Sequence, residues 1–241
     1  MPSFEVDRRF CGPPQSGNGG YVAGRLASFL EVNGPVAVRL FSPPALGKAL
    51  AVLAIDGGVG LFDGETTVAQ ARTVELSIEP PTPPSFADAR DAAKSFRGFE
   101  DRVFPGCFVC GFERQEGDGL RIFPGDTKAD GLFAAPWTPD ASLAVEDGGC
   151  VAPEFIWAAL DCPGAFAFPQ PEGKIILLGE MQVELLGDVE LGEPCVLTSW
   201  KIGQSGRKHT TGSAIHGADG TCRGVAQGVW IEIEPDAVPR D

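Results

Sequence analysis

The chain contains itself twice, and this limits what it can fold into more than any other feature. Val38-Arg39-Leu40-Phe41, followed by Leu46-Gly47, aligns at a constant offset of 145 with Val183-Glu184-Leu185-Leu186 and Leu191-Gly192. Further on, Val68-Ala69-Gln70 recurs as Val225-Ala226-Gln227, and Val74 and Leu76 fall on Ile231 and Ile233, at an offset of 157. The later copy therefore carries twelve more residues between these landmarks. Such a period is too long for a solenoid repeat of roughly 20–50 residues. It describes two similar domains, and in such pairs a site tends to lie where the copies meet.

Composition excludes several classes of function. Hydrophobic residues make up 43% of the 241, enough for a sizeable core. No run of 18 apolar residues exists, so no membrane span is expected. The start of the chain, Met1 to Asp7, has no basic region followed by an apolar stretch and does not read as a signal peptide. A formal charge of −14 argues against nucleic acid, whose binding rests on cations that neutralise phosphates, and against an anionic membrane surface. A small phosphorylated ligand needs only a few local cations and stays open. The seven cysteines, an odd and scattered set, read as reduced thiols of a cytoplasmic protein. Cys107 and Cys110 form a C-x2-C pair, but no second pair follows and His209 and His216 are seven apart. No metal site is therefore expected, and the two cysteines read as small residues at the entry to a strand.

Local pattern gives the order of elements. Phe4 to Cys11 reads as a strand, and Pro13 to Gly20 as a turn in which Ser16 or Asn18 could cap a helix. Val22, Leu26, Phe29 and Leu30 then follow helix period until Asn33-Gly34-Pro35 stops it. The period next changes to two. Strands are expected around Val36–Leu40, from Leu50 to Ile55, from Val59 to Phe62 and, as a long β-branched run, from Thr66 to Ile78. Glu79 to Pro84 cannot continue a central strand, because proline has no N–H. This fixes the expected division: a first domain over 1–78, a proline-rich linker with a short helix (Asp88 to Phe96) over 79–106, and a second domain over 107–241. The second domain carries a strand from Gly131 to Trp137 and a helix from Pro153 to Leu160 or beyond, apolar on nearly every side and so buried, with Pro163-Gly164 ending or bending it. Strands follow at Ile175–Leu186, Cys195–Ile202, Lys208–His216 and Arg223–Ile233.

A buried helix wrapped by a long antiparallel sheet, occurring twice, is the outline of an α+β chain with two hotdog domains in tandem. Short motifs agree. Cys107-Phe108-Val109-Cys110-Gly111 with Gly119-Leu120-Arg121-Ile122-Phe123 resembles the opening of PaaI-like hotdog thioesterase domains, C-F-x-C-G followed by G-L-x-[LI]-x-F. Asn18-Gly19-Gly20-Tyr21, at a helix start, resembles the N-G-G-Y of acyl-CoA thioesterase-like double hotdogs. The Asn-Pro usual before Gly-Leu is replaced here by Glu116-Gly117-Asp118, a change in that loop. The resemblance implies a carboxylate on one central helix facing backbone N–H groups at the start of the other.

Asp161 is the carboxylate that fits. It is the one ionisable carboxylate between Phe155 and Phe168, and burial would raise its pKa toward the range useful to a general base. The alternative is that it bonds backbone near Pro163-Gly164. Asn18, Gly19 and Gly20 would offer N–H groups and the positive end of a helix dipole to a thioester carbonyl, with glycine allowing close approach; plain turn chemistry is the alternative. Tyr21 and Trp157 are expected to bind substrate. Arg207 and Lys208, on a glycine-rich hairpin, suit a phosphate of coenzyme A or form an ordinary charged turn. Glu154, in a first helical turn, complements the dipole. The first helix has Arg25 and no carboxylate, so one working site is expected rather than two. His209 and His216 read as strand residues, and no Asp/His pair of the hydratase kind is evident. The leading expectation is an acyl-CoA thioesterase-like hydrolase with no cofactor beyond the coenzyme A of its substrate, forming a homodimer through open sheet edges. The alternatives are a non-catalytic binder of acyl thioesters or small apolar ligands on the same fold, and a scaffold with decayed sites.

Overall fold

A computed structural model describes residues 1–129, 131–145 and 148–238. Positions 130, 146, 147 and 239–241, all within the expected second domain, lie outside the described residues. The first half supplies β1 (Ser3–Glu5), α1 (Gly19–Ala27), β2 (Val36–Leu40), β3 (Ala49–Ile55), β4 (Gly58–Asp63) and β5 (Thr66–Thr73). Two short helices follow, α2 (Phe86–Ala92) and α3 (Gly98–Asp101). The second half supplies β6 (Gly125–Asp126), β7 (Leu132–Trp137), α4 (Pro153–Phe166), β8 (Ile175–Leu185), β9 (Cys195–Ser205), β10 (Lys208–His216) and β11 (Cys222–Ile233).

All eleven strands form one antiparallel sheet in the order β1-β3-β4-β5-β2-β8-β11-β10-β9-β7-β6. The halves meet where β2 pairs β8, with Val36 opposite Val183, Ala37 opposite Gln182 and Val38 opposite Met181. The offset of 145 exchanges the outer two pairs and maps Ala37 onto Gln182, so the seam is centred on that pair. Both edge strands, β1 and β6, are very short, which limits the row of unpaired backbone groups a sheet edge presents. α1 packs over β2, β4 and β5, α4 packs over β7 to β11, and the two helices pack on each other.

Close contact between the helices depends on two glycines one turn apart. A Cβ on Gly20 would stand 2.5 Å from Asp161 Cβ and 2.7 Å from Trp157 O; one on Gly24 would stand 2.7 Å from Glu154 Cα and 2.8 Å from Trp157 Cβ. These are main-chain and first-carbon contacts, which cannot move aside as the end of a long side chain can. α4 is buried at every position from Phe155 to Ala165, as an all-round apolar helix should be. It does not end at Pro163 but runs to Phe166. Proline removes the N–H that Ala159 O would receive. Nearby, the Ser213 hydroxyl donates to Leu160 O at 2.6 Å, and the Arg97 guanidinium donates to Ala165 O at 3.0 Å and to Phe168 O, at the end of the helix where carbonyls lack helical partners.

Three expectations differ from the fold. The strand expected over Phe4–Cys11 stops at Glu5, because the Asp7 carboxylate accepts from Arg9 N at 2.7 Å and fixes a 3-10 turn at Arg8–Phe10. The long strand expected from Thr66 to Ile78 ends at Thr73: its partner β2 begins at Val36, after Pro35, and only one further bond, Val74 N to Pro35 O, is made. Cys107 and Cys110 are not at the entry to a strand. They lie in a tight turn closed by Gly111 N donating to Cys107 O at 2.9 Å.

The glycine crossing makes a testable demand. Gly24→Ala would gain about 1 kcal/mol of helix propensity on α1. Forced separation of α1 from α4 should outweigh this and leave the protein less stable by about 1–2 kcal/mol. Denaturant unfolding of the variant reads the sign; an unchanged or raised midpoint would show that the helices do not need this closeness.

Candidate active site

Asn18 caps α1: its Oδ1 accepts from Tyr21 N at 2.9 Å. The same side-chain amide donates through Nδ2 to Asp161 Oδ2, also at 2.9 Å. A second donor reaches that oxygen from the backbone of Gly20, again at 2.9 Å. Asp161 is thus gripped by the first turn of the opposite helix. Asp161 and Asn18 are 3% and 2% exposed. The other carboxylate oxygen, Oδ1, is buried and has no hydrogen-bond partner among the described residues. Burial pushes the Asp161 carboxyl up to about 7, even though the Gly20 amide and Asn18 act to lower it.

Gly20 has a different use from the one expected. The group that approaches its backbone is Asp161, so its N–H is already taken. Of the turn's amides, Asn18 N donates to Phe10 O, Gly20 N to Asp161 and Tyr21 N to Asn18; the Gly19 N–H has no acceptor among the described residues. Gly19 and Asp161 line one cavity of about 380 Å³ at the helix seam. Its wall is largely apolar, with Leu40, Phe166, Leu178 and Trp230 among its residues, and Arg207 also lies on it.

The other expected binding residues lie elsewhere. Tyr21 is buried, stacked on Phe10 at 4.3 Å between ring centroids and packed near Phe108 and Phe155. Trp157 is buried against Gly24 in the helix crossing. Lys208 is exposed at the start of β10. None of the three is on the cavity wall. Tyr21 neighbours Gly20 in sequence but points to a different side of α1, and Trp157, one turn before Asp161, is taken up by the crossing with Gly24. Arg25 stands 3.8 Å from Glu154 in a part-buried ion pair. His209 stacks on Phe168 and meets Glu232 Oε1 at 2.6 Å; His216 is buried, and burial lowers its pKa.

One grouping was not legible from spacing. Cys162, the residue after Asp161, brings its sulfur to 3.7 Å from that of Cys107, and the sulfurs of Cys107, Cys110 and Cys162 all lie within 4.8 Å of one another. The three thiols share hydrogen bonds, which lower Cys107 and raise the other two. All three line the same cavity as Asp161. The sequence signals were the C-x2-C spacing of Cys107 and Cys110 and the place of Cys162 beside Asp161 on a largely apolar helix.

No family model and no curated protein matches the chain. Solved structures do. The dehydratase domain of a mycocerosic acid synthase-like polyketide synthase superposes with a TM-score of 0.64 at 15% identity, over 96% of this chain and 90% of that one. A hot dog fold protein of unknown function from Alicyclobacillus acidocaldarius gives 0.54 at 10%, over 97% and 93%. The chain is a double hotdog. A proposed thioesterase II from Thermobifida fusca YX superposes on the double hotdog with a TM-score of 0.57 at 16% identity, over 96% and 92%. Identities this low establish the shared fold alone.

The two roles of Asn18 can be separated. Asn18→Ser keeps an oxygen to cap Tyr21 N but loses the donor to Asp161; Asn18→Ala loses both. Asn18→Ala should be the less stable of the two by about 1 kcal/mol. Equal denaturant midpoints for the two variants would show that the cap contributes nothing.

Proposed function

We propose that the chain hydrolyses an acyl thioester in the cavity between α1 and α4. The observation that carries this reading is Asp161: a buried carboxylate with one oxygen held by the opposite helix and the other without a partner among the described residues, on the wall of an apolar cavity. A carboxylate left this way costs stability, and a catalytic role explains why it is kept. The likeness to a proposed thioesterase II adds support at the level of fold.

In this reading Oδ1 of Asp161 takes a proton from a water molecule while the water oxygen bonds to the thioester carbonyl carbon. A carboxyl with a pKa near 7 is matched to proton transfer at neutral pH. The carbonyl oxygen gains negative charge in this step. The free Gly19 N–H and the positive end of α1 stabilise that charge. The tetrahedral intermediate collapses with cleavage of the C–S bond, and Asp161 returns its proton to the departing thiolate. The acyl group sits against the apolar wall. Arg207 suits a phosphate of coenzyme A.

The likeness to a dehydratase domain raises elimination of water as a competing reaction. That chemistry takes an α-proton and protonates a departing hydroxyl, so it is served by a second acid–base group beside the carboxylate. The chain has two histidines, and neither is on the cavity wall. Hydrolysis is the reading that the side chains favour.

Asp161→Asn tests it. With a panel of short, medium, long and aryl acyl-CoA thioesters, the variant should lose about 100-fold or more in kcat while its affinity for a non-hydrolysable acyl-CoA stays within a few-fold of wild type. A wild-type protein that hydrolyses no member of the panel, or a variant as fast as wild type, ends the proposal.

A further inference from the structure

We infer that Cys107, Cys110 and Cys162 form a binding site for a thiophilic divalent cation of the zinc class, with the fourth coordination position open to the cavity. This rests on the thiols alone and not on thioester hydrolysis.

The geometry is close to what such an ion needs. Tetrahedral zinc with Zn–S bonds of about 2.3 Å sets its sulfurs about 3.8 Å apart. The Cys107 and Cys162 sulfurs already stand 3.7 Å apart, and no pair in the trio exceeds 4.8 Å, a gap that small side-chain rotations close. The local backbone turns tightly around the first cysteine: Gly111 N donates to Cys107 O at 2.9 Å. The turn is tight enough to require glycine at 111: a Cβ there would stand 2.3 Å from Cys107 O, 2.6 Å from Cys107 N and 2.7 Å from Pro105 O. Packing alone does not account for this turn, since small apolar side chains would fill the same volume without placing three sulfurs in contact.

The third ligand comes from another element. Cys162 is on α4, beside Asp161, whereas the C-x2-C turn precedes β6. An ion here would tie that turn to the central helix and would stand next to the buried carboxylate. Three protein ligands with a fourth position on a cavity are the arrangement of zinc that meets substrate or water, as opposed to a closed four-ligand structural site. A water molecule from the cavity that the three cysteines line can complete the coordination.

The test is metal content and a spectroscopic probe, neither of which depends on catalysis. Full-length protein purified under reducing conditions without chelators should contain about one zinc per chain by elemental analysis. Chelator-stripped, reduced wild-type protein titrated with cobalt(II) should develop thiolate-to-cobalt charge-transfer and tetrahedral d–d absorption that saturate at about one equivalent. Cys107→Ser, Cys110→Ser and Cys162→Ser should each lose most of that absorption, while Cys150→Ser, outside the cluster, keeps it. The wild-type titration stands by itself if a variant fails to fold. Absence of both bound metal and cobalt bands from wild-type protein overturns the inference, as does a Cys107–Cys162 disulfide in protein kept reduced. Loss of hydrolysis in Asp161→Asn is a separate readout, so either conclusion can fail alone.

Discussion

Two glycines without side chains hold this molecule's chemistry together. Gly20 and Gly24 let α1 lie against α4 with main chain nearly touching main chain, and only at that separation can the Gly20 N–H reach Asp161 at 2.9 Å. Any side chain at position 20 would occupy the space of the Asp161 Cβ. The same contact that closes the core therefore places the carboxylate. The crossing lies near the seam where β2 pairs β8, so the site belongs to neither half by itself.

That contact sets the electrostatics. Removing a carboxylate from water disfavours its charge, and two hydrogen bonds to a single oxygen offset only part of the cost. The pKa consequently rises and stays raised. Asn18 is suited to its place because one planar amide has both an acceptor and a donor: the acceptor finishes the helix, the donor holds the acid. The two halves are unlike in this respect. α1 offers Arg25, which turns to Glu154 in an ion pair, and presents no acid of its own.

The sulfur cluster adds a second chemistry on the same cavity. Cys107 and Cys110 are brought together by a turn that only glycine at 111 permits, and Cys162 arrives because α4 continues past Leu160 despite Pro163. Asp161 and Cys162 are neighbours on α4, so the carboxylate and one thiol of the cluster meet on the cavity wall.

The sequence by itself determined the α4 helix, most strands of the second half, the capping turn at Asn18 and the place of Asp161 on a buried helix. These are readable because period, propensity and capping are local and act through neighbours in the chain. What the sequence misjudged was decided at a distance. The strand expected to Cys11 was stopped by an Asp7 side-chain bond, and the one expected to Ile78 ran out of partner at Pro35. Tyr21, next in sequence to Gly20, turned into packing because a helix sends neighbours to different sides, and Trp157, one turn before Asp161, was claimed by its contact with Gly24. Only the tertiary structure decided that Gly20 gives its amide to Asp161 and leaves Gly19 free, and that a third thiol joins Cys107 and Cys110. Those pairings span tens of residues, and no periodicity along a chain encodes which side chains two crossing helices will bring into contact.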